Sequence, residues 1–357
     1  MYIVLAILAF GILIITHEFG HFFAAKAFGV KVNEFAVGMG PTLLKKQGKE
    51  TLYSLRLLPL GGFCAMEGED EDTGSRSFTS KPKWQRAIIL CAGAAMNFVF
   101  GLIMILCIMP YLNVSEPIIY DFMDGCPYQG EDALQVGDRF ARIDGHRVYF
   151  TDDVSYYLNR ENTGGRGGDA HRIVLRRDGR RVVLDDFTMT RVEYRLADGS
   201  TDLKYGFYFS PRDFGLIPTL RYTWMESMSF VRLIWRSLGD LFTGAVSMKE
   251  LSGPVGIVDY VNDVEAEAES PLEAYFYFFY IFSLIAINLA VMNLLPIPAL
   301  DGGRIFFLIV TWLIELLIRR KLDPKYEGYI HGAGFILLMG LMLFVMGNDI
   351  FKIITNR

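Results

Sequence analysis

Apolar runs too long for a soluble core alternate along this chain with short charged stretches, and their lengths set the fold class. Residues 87–115 contain no Asp, Glu, Lys or Arg, and neither do residues 274–300. Each exceeds the ~20 residues that carry a helix across a hydrocarbon core. Residues 1–25 form another such run, apolar except for a polar cluster near its end, and residues 329–347 are long enough for a fourth. The first run lacks the basic start and Ala-x-Ala exit of a secretory signal. Residues 305–314 are apolar but short, with Arg304 before them and Glu315, Arg319, Arg320 and Lys321 after; that reads as a partly buried or interfacial helix. The pattern predicts a polytopic α-helical membrane protein with about four transmembrane helices, five if this segment crosses.

Between the apolar runs the periodicity changes. Within the basic connector 26–86, residues 52–63 read as short apolar strands around Pro59, Gly61 and Gly62. From 113 to 211 hairpin signals recur: 139–143 and 146–149 flank Asp144-Gly145, while 173–177 and 180–184 flank Asp178-Gly179. Thr151, Asp152 and Asp153 suit the start of a helix running into 154–158. This is a compact β-rich domain with one helix. Residues 221–243 alternate at helical spacing, with Trp224, Met228, Val231, Ile234, Trp235 and Leu238 on one broad face, as in an interfacial helix. The chain thus divides into an N-terminal membrane half (1–112), the β-rich domain (113–211), an amphipathic membrane-proximal linker (212–272) and a C-terminal membrane half (273–357). In the second span Gly93, Asn97 and Gly101 recur at i, i+4 and i+8, a stripe that admits a close helix neighbour.

Charge sets orientation more than partners. A net charge of −5 with 52% hydrophobic residues gives no global field for nucleic acid. The connector 26–86 holds ten Lys/Arg and residues 304–325 hold five, so by the positive-inside rule both face the cytoplasm. Residues 111–272, with 26 acids against 18 bases, then lie on the opposite side, as do both termini. Four cysteines, scattered among unrelated segments, spell neither a disulfide framework nor a thiolate metal site.

The chemistry sits inside the first span. His17-Glu18-Phe19-Gly20-His21 is an H-E-x-x-H arrangement, which on a helix puts two imidazoles about 40° apart around the axis and about 6 Å apart along it, converging on one metal ion. Glu18 falls about a quarter-turn aside, where a general base reaches a water without entering the coordination sphere. Ionisable groups in a span are costly, so three in five positions demand a partner, an ion or a water-filled cavity. A catalytic zinc site needs a third protein ligand. If Met1 lies near the outer face, His17 is ~25 Å along the axis, in the inner third of the core. The third span also runs inward, and Asp301 follows a helix interrupted by Pro296 and Pro298, so it reaches the same depth. His331, near the last span, is the rival ligand.

Several motifs resemble one family: HEFGH at 17–21, GVKVNEFAVGMGP at 29–41, LPLGGF at 58–63, GAAMNF at 93–98, a PDZ-like GD...IDG segment at 137–145, LSGPVGI at 251–257 and NLLPIPALDG at 293–302. The chain is similar over most of its length to the site-2 protease family of intramembrane zinc metalloproteases, in its bacterial regulator-of-sigma-E protease branch. The resemblance implies Zn2+ held by His17, His21 and Asp301, Glu18 as catalytic carboxylate, and Asn293 as a substrate-orienting group. It also implies a membrane-associated β-loop at 52–63 whose edge takes an unwound substrate by strand addition, with Gly61 and Gly62 permitting close backbone approach, and one extramembrane PDZ-like α+β domain. Two departures stand out: Ala92-Gly93-Ala94 replaces the usual Ala-Gly-Pro, and there is room for one PDZ-like unit where some relatives have two. Expected partners are single-pass membrane protein substrates, including anti-sigma factors, and the lipid bilayer. The expected location is a bacterial inner membrane, with the active site toward the cytoplasm. A non-enzymatic membrane scaffold and a metal transporter use the same intramembrane polar residues and are the alternatives.

Overall fold

The computed structural model describes residues 2–69, 74–112, 115–159, 170–195, 200–213, 215–244, 270–319 and, near the C-terminus, 332–334, 336–337, 339–340 and 347. The chain forms two compact units, one of residues 1–110 with 220–357 and one of residues 111–219. Three helices among the described residues are long and apolar enough to cross a membrane: α1 (Tyr2–Ala27), α2 (Lys83–Ile108) and α5 (Pro271–Asn293). The expected fourth span, 329–347, falls largely outside the described residues, as do the LSGPVGI segment and His331. The short apolar run before Glu315 belongs to α6 (Asp301–Ile318), whose Asp301, Arg304 and Glu315 set it apart from the three spans.

In the first unit α2 is the hub, packing against α1, α5 and α6. Hydrocarbon offers no solvophobic drive between helices, so close packing depends on small residues. Gly20 of α1 lies on the α2 backbone; a Cβ there would stand 2.3 Å from the Ala92 carbonyl oxygen. Gly101, two turns beyond Gly93 on α2, meets α5 at Ile287 and the Ser283 carbonyl. The stripe read in the sequence therefore serves two partners, α1 at one end and α5 at the other. Ala9 and Leu13 of α1 close the third side against Phe278, Phe282 and Ala286 of α5. Helix α4 (Leu216–Thr243) begins earlier than its pattern predicted. It docks on α5 through Phe230 against the Tyr280 ring and through the Tyr280 hydroxyl, which donates to Glu226 Oε1 at 2.6 Å.

The connector differs from expectation. It forms two long irregular strands, β1 (Val32–Gln47) and β2 (Leu52–Met66), rather than short strands within 52–63. Residues 34–37 pair on one side with 62–65 and on the other with 52–55, while 44–47 pair with 52–55 in turn. Four short strands thus stand side by side, with Phe63–Met66 at one edge. The pattern concealed β1 because its apolar and polar residues do not alternate, and glycines at Gly38 (φ 84°), Gly40 (φ 83°) and Gly61 (φ 91°) bend the ribbon. Glu50, between the strands, ties the ribbon to α1 by accepting from Lys26 Nζ at 2.8 Å, and it also receives Arg76 at 2.8 Å. These cations hold its carboxyl down at about 2.

The second unit is a β-sheet in the order β10 (Phe207–Pro211), β3 (Ser115–Phe122), β4 (Arg139–Ile143), β6 (Ala170–Arg177), β7 (Arg180–Thr188), with β5 (His146–Arg147) paired to β4. A separate hairpin joins β8 (Val192–Arg195) to β9 (Thr201–Lys204). Both expected hairpin turns are present, with positive φ at Asp144 (50°), Gly145 (83°), Asp178 (48°) and Gly179 (77°), the backbone that matches strand twist. Helix α3 (Thr151–Asn159) packs on the core of Ile119, Phe140, Ile143, Ile173 and Leu175. Its Asp153 carboxylate accepts the backbone N–H groups of Tyr149 and Phe150.

Candidate metal centre

His17 Nε2 and His21 Nε2 lie 3.1 Å apart, and each lies 3.2 Å from Asp301 Oδ2. The three atoms make a nearly equilateral triangle. Ligand bonds of about 2.0–2.1 Å at tetrahedral angles separate neighbouring ligand atoms by about 3.3 Å, so this triangle has the size of one face of a zinc coordination tetrahedron. Two ring nitrogens and a carboxylate oxygen pointing at one another repel unless a cation or a proton sits among them. Asp301 Oδ2 is buried without a hydrogen-bond donor of suitable geometry, which also fits a cation site. It is the one cluster of its kind found among the described residues.

Each of the three side chains is positioned by a local feature of the sequence. Helical spacing stacks His17 and His21 on one face of α1, and Gly93 of α2 makes room for them. A Cβ on Gly93 would stand 2.4 Å from His21 Nε2 and 2.7 Å from His17 Cε1. His21 Nδ1–H donates to the Ile89 carbonyl at 2.9 Å, which fixes the tautomer and leaves Nε2 its lone pair. Asp301 reaches the site because α5 stops at Asn293 and the chain turns sharply through Pro296 and Pro298. The turn brings Ala299 to φ 81°, and Gly302 and Gly303 press against the corner: a Cβ on Gly302 would stand 2.3 Å from the Leu294 carbonyl, and one on Gly303 2.2 Å from that of Ile297. A side chain at either glycine would push α6, and Asp301 with it, off the site.

These groups open on a cavity of about 440 Å3, lined among others by His17, Glu18, His21, Asn293 and Asp301. That volume lies within the usual range of ligand pockets, about 300–1,000 Å3. Glu18 is within the cavity but outside the ligand triangle, and Asn293, the last residue of α5, faces the same space. Gly62 and Gly61 have neighbours within the protein. A Cβ on Gly62 would stand 3.4 Å from Glu18 Cγ and from Ile14, and one on Gly61 2.6 Å from Met39 Cε. The tightest contact of Gly62 is with the Ala36 carbonyl oxygen, 3.0 Å from such a Cβ, so the close approach both glycines permit is of β2 to β1, and the β2 segment that lines the cavity is Phe63–Met66.

Sequence reasoning missed the rest of the lining. Arg304 projects from the same face of α6 as Asp301, three residues on, and a helical-spacing argument would have found it. It donates to Glu69 Oε2 at 2.9 Å, closing the cavity wall between α6 and the end of β2. Nothing in the sequence marks Glu69. Cys64 also lines the cavity; burial, with the nearby Glu18 and Glu69 carboxylates, pushes its thiol up to about 12, so it is not a nucleophile.

Comparison with known proteins agrees with this geometry. The description "Peptidase family M50" matches residues 5–341. A Clostridium perfringens protein named "Putative zinc metalloprotease" is 35% identical over 98% of both chains. Proteins of the same description from Clostridium acetobutylicum and Fusobacterium nucleatum are 33% and 32% identical, covering at least 97% of each chain. Near-complete coverage in both directions and a motif-bearing site assembled from both ends of the chain leave one conclusion: this protein belongs to peptidase family M50, the zinc-dependent site-2 protease family.

Proposed function

We propose that the protein is an intramembrane zinc endopeptidase that hydrolyses a peptide bond in or near the transmembrane segment of single-pass membrane proteins, in regulated intramembrane proteolysis of substrates such as anti-sigma factors. The carrying observation is the convergence of His17, His21 and Asp301 on one point beside Glu18, in a cavity to which two helices apolar enough to cross a membrane contribute His17, Glu18, His21 and Asn293. His17, His21 and Asp301 hold the metal. Zinc bound there would supply Lewis acidity and make water easier to deprotonate.

Glu18 is the general base and then the general acid: it takes a proton from the attacking water and gives one to the leaving amine. Asn293 donates its amide to the substrate carbonyl. A substrate helix hides its carbonyls in its own hydrogen bonds, so it must unwind before cleavage, and hydrocarbon offers its freed backbone groups nothing. The Phe63–Met66 edge of β2, paired on one side to β1 and bordering the cavity on the other, supplies partners by strand addition.

In this reading the metal centre faces the cytoplasmic side of a bacterial inner membrane, supported by the basic residues of 26–86 and 304–325. The unit 111–219 then lies outside as a PDZ-like module that recruits or filters substrate ectodomains.

The test is cleavage of a model spanning peptide by the reconstituted protein. Native protein should cleave and should stop with chelator. Glu18→Gln should keep stoichiometric zinc yet lose a factor of about 10^2–10^4 in rate, whereas His17→Ala and Asp301→Ala should lose the metal. Full activity in Glu18→Gln would end the proposal. Zinc uptake into vesicles, unaffected by that substitution, would point to a transporter.

A further inference from the structure

Metal-bound imidazoles almost always donate their second ring N–H to an acceptor, which fixes the tautomer and the ring plane. The two histidines of this site differ in that respect. His21 Nδ1 has the Ile89 carbonyl at 2.9 Å, whereas His17 Nδ1 is buried with no hydrogen-bond partner. With Nε2 directed at the metal point, His17 Nδ1 carries the proton and is a donor lacking an acceptor. A second buried group is orphaned on the facing helix: Asn97 of α2 is 1% exposed, and its Oδ1, an acceptor, has no partner.

The helix geometry directs one toward the other. Asn97 stands one turn after Gly93 on the same face of α2, and Gly93 is in contact with His17, whose Cε1 is bonded to Nδ1. A helical side chain leans back over the turn N-terminal to its own Cα, so the Asn97 carboxamide extends toward Gly93. With no side chain of its own, Gly93 leaves that space to the imidazoles. A buried carboxamide amid apolar residues is costly unless it is hydrogen-bonded, and Ala94, Ile105 and Ile108 of the same helix show that buried positions there otherwise hold apolar residues.

We infer that Asn97 is a positioning residue of the metal centre, its side-chain oxygen accepting from His17 Nδ1–H through one buried water and so orienting that ligand as Ile89 orients His21. The inference rests on the assignment of His17 as a ligand in the preceding section.

The experiment measures zinc affinity by chelator competition, the cobalt(II) ligand-field spectrum and the apo-protein melting temperature for the full-length chain and for Asn97→Leu, Asn97→Ala and Asn97→Asp. Leu removes the acceptor at similar size; Asp restores it. Leu and Ala should weaken zinc binding about 10- to 100-fold and shift the cobalt spectrum, Asp should bind zinc within about threefold of native, and the apo melting temperatures should agree. If Asn97→Leu does not fold, the contrast between Ala and Asp carries the same reading. Native zinc affinity in Leu or Ala overturns the inference. So does a loss that Asp does not rescue and that tracks apo stability, since that is the mark of packing alone. His17→Ala, run in parallel, separates the two levels: if it too keeps native affinity, the ligand assignment itself fails, whereas metal loss in His17→Ala with none in the Asn97 variants defeats only the role of Asn97.

Discussion

The smallest residues exert the tightest control over this site. Gly93 contributes no functional group, yet the space it leaves holds the rings of His17 and His21, and Gly20 brings the α1 backbone onto Ala92. A methyl at Gly93 would overlap His21 Nε2 at 2.4 Å and His17 Cε1 at 2.7 Å. The atoms it would meet are imidazole atoms, and the α1 and α2 backbones already touch at Gly20, so the imidazoles must move. Displacements near 1 Å cost about 10^2 in rate at a well-ordered site. Gly93→Ala should therefore lower zinc affinity at least about 10-fold and proteolysis by about 10^2 while the chain still folds, as zinc titration and the peptide assay would read. The residue scale also shows how legibility was divided. H-E-x-x-H announces itself, because two imidazoles and a carboxylate share one helix turn. The second-sphere groups, Ile89, Gly93 and Asn97, are recognisable only once α1 and α2 are seen to meet, since no spacing in the sequence links 17–21 to 89–97.

Among the elements, the β1–β2 ribbon is the one whose form the hydrophobic pattern misjudged. Alternation fails where a strand is flanked on both sides and bent by glycines, so β1 stayed hidden and β2 looked like two pieces. What anchors the ribbon is electrostatic as well as apolar: Lys26 at the end of α1 and Arg76 both reach Glu50. The Glu50 carboxyl sits at about 2 in the folded chain, below the ordinary ~4.3. A carboxylate depressed in the folded state stabilises above its unfolded value, and the stabilisation fades as pH falls through the folded one. The melting-temperature difference between the native protein and Glu50→Gln should thus be constant above about pH 5 and shrink toward zero between about pH 4 and 2. Because these groups are partly solvated, added salt should shrink it as well. A difference that persists at pH 2 would assign the effect to packing.

For the whole molecule, the candidate metal centre joins chain regions 280 residues apart. His17 and His21 come from α1 and Asp301 from α6, so a cation bound among them would tie α1 to α6. Ligand bound only to the folded state stabilises it by mass action, about 2.7 kcal/mol at 100 times Kd. Chelation should accordingly lower the melting temperature of the native protein measurably, and leave that of His21→Ala unchanged. Equal melting temperatures with and without chelator in the native chain would mean that the three ligands do not share a metal.

Local chemistry alone determined much here. The uncharged runs at 87–115 and 274–300 follow from the intolerance of hydrocarbon for unpaired charge. The two Asp-Gly hairpins of the β-rich unit follow from the positive φ that Asp-Gly accepts, and the paired imidazoles from 3.6 residues per turn. Asp301 was nominated by a topological argument about depth, with His331 left open. Tertiary structure decided what depends on distance between remote segments: that Asp301 Oδ2 stands 3.2 Å from both ring nitrogens, that Phe63–Met66 rather than the glycines before them border the cavity, and that Arg304 meets Glu69 across it. The physical reason is that periodicity reports only which face of its own element a residue occupies. Which faces come together is set by backbone approach at Gly20, Gly93, Gly302 and Gly303, and that approach exists only in the assembled bundle.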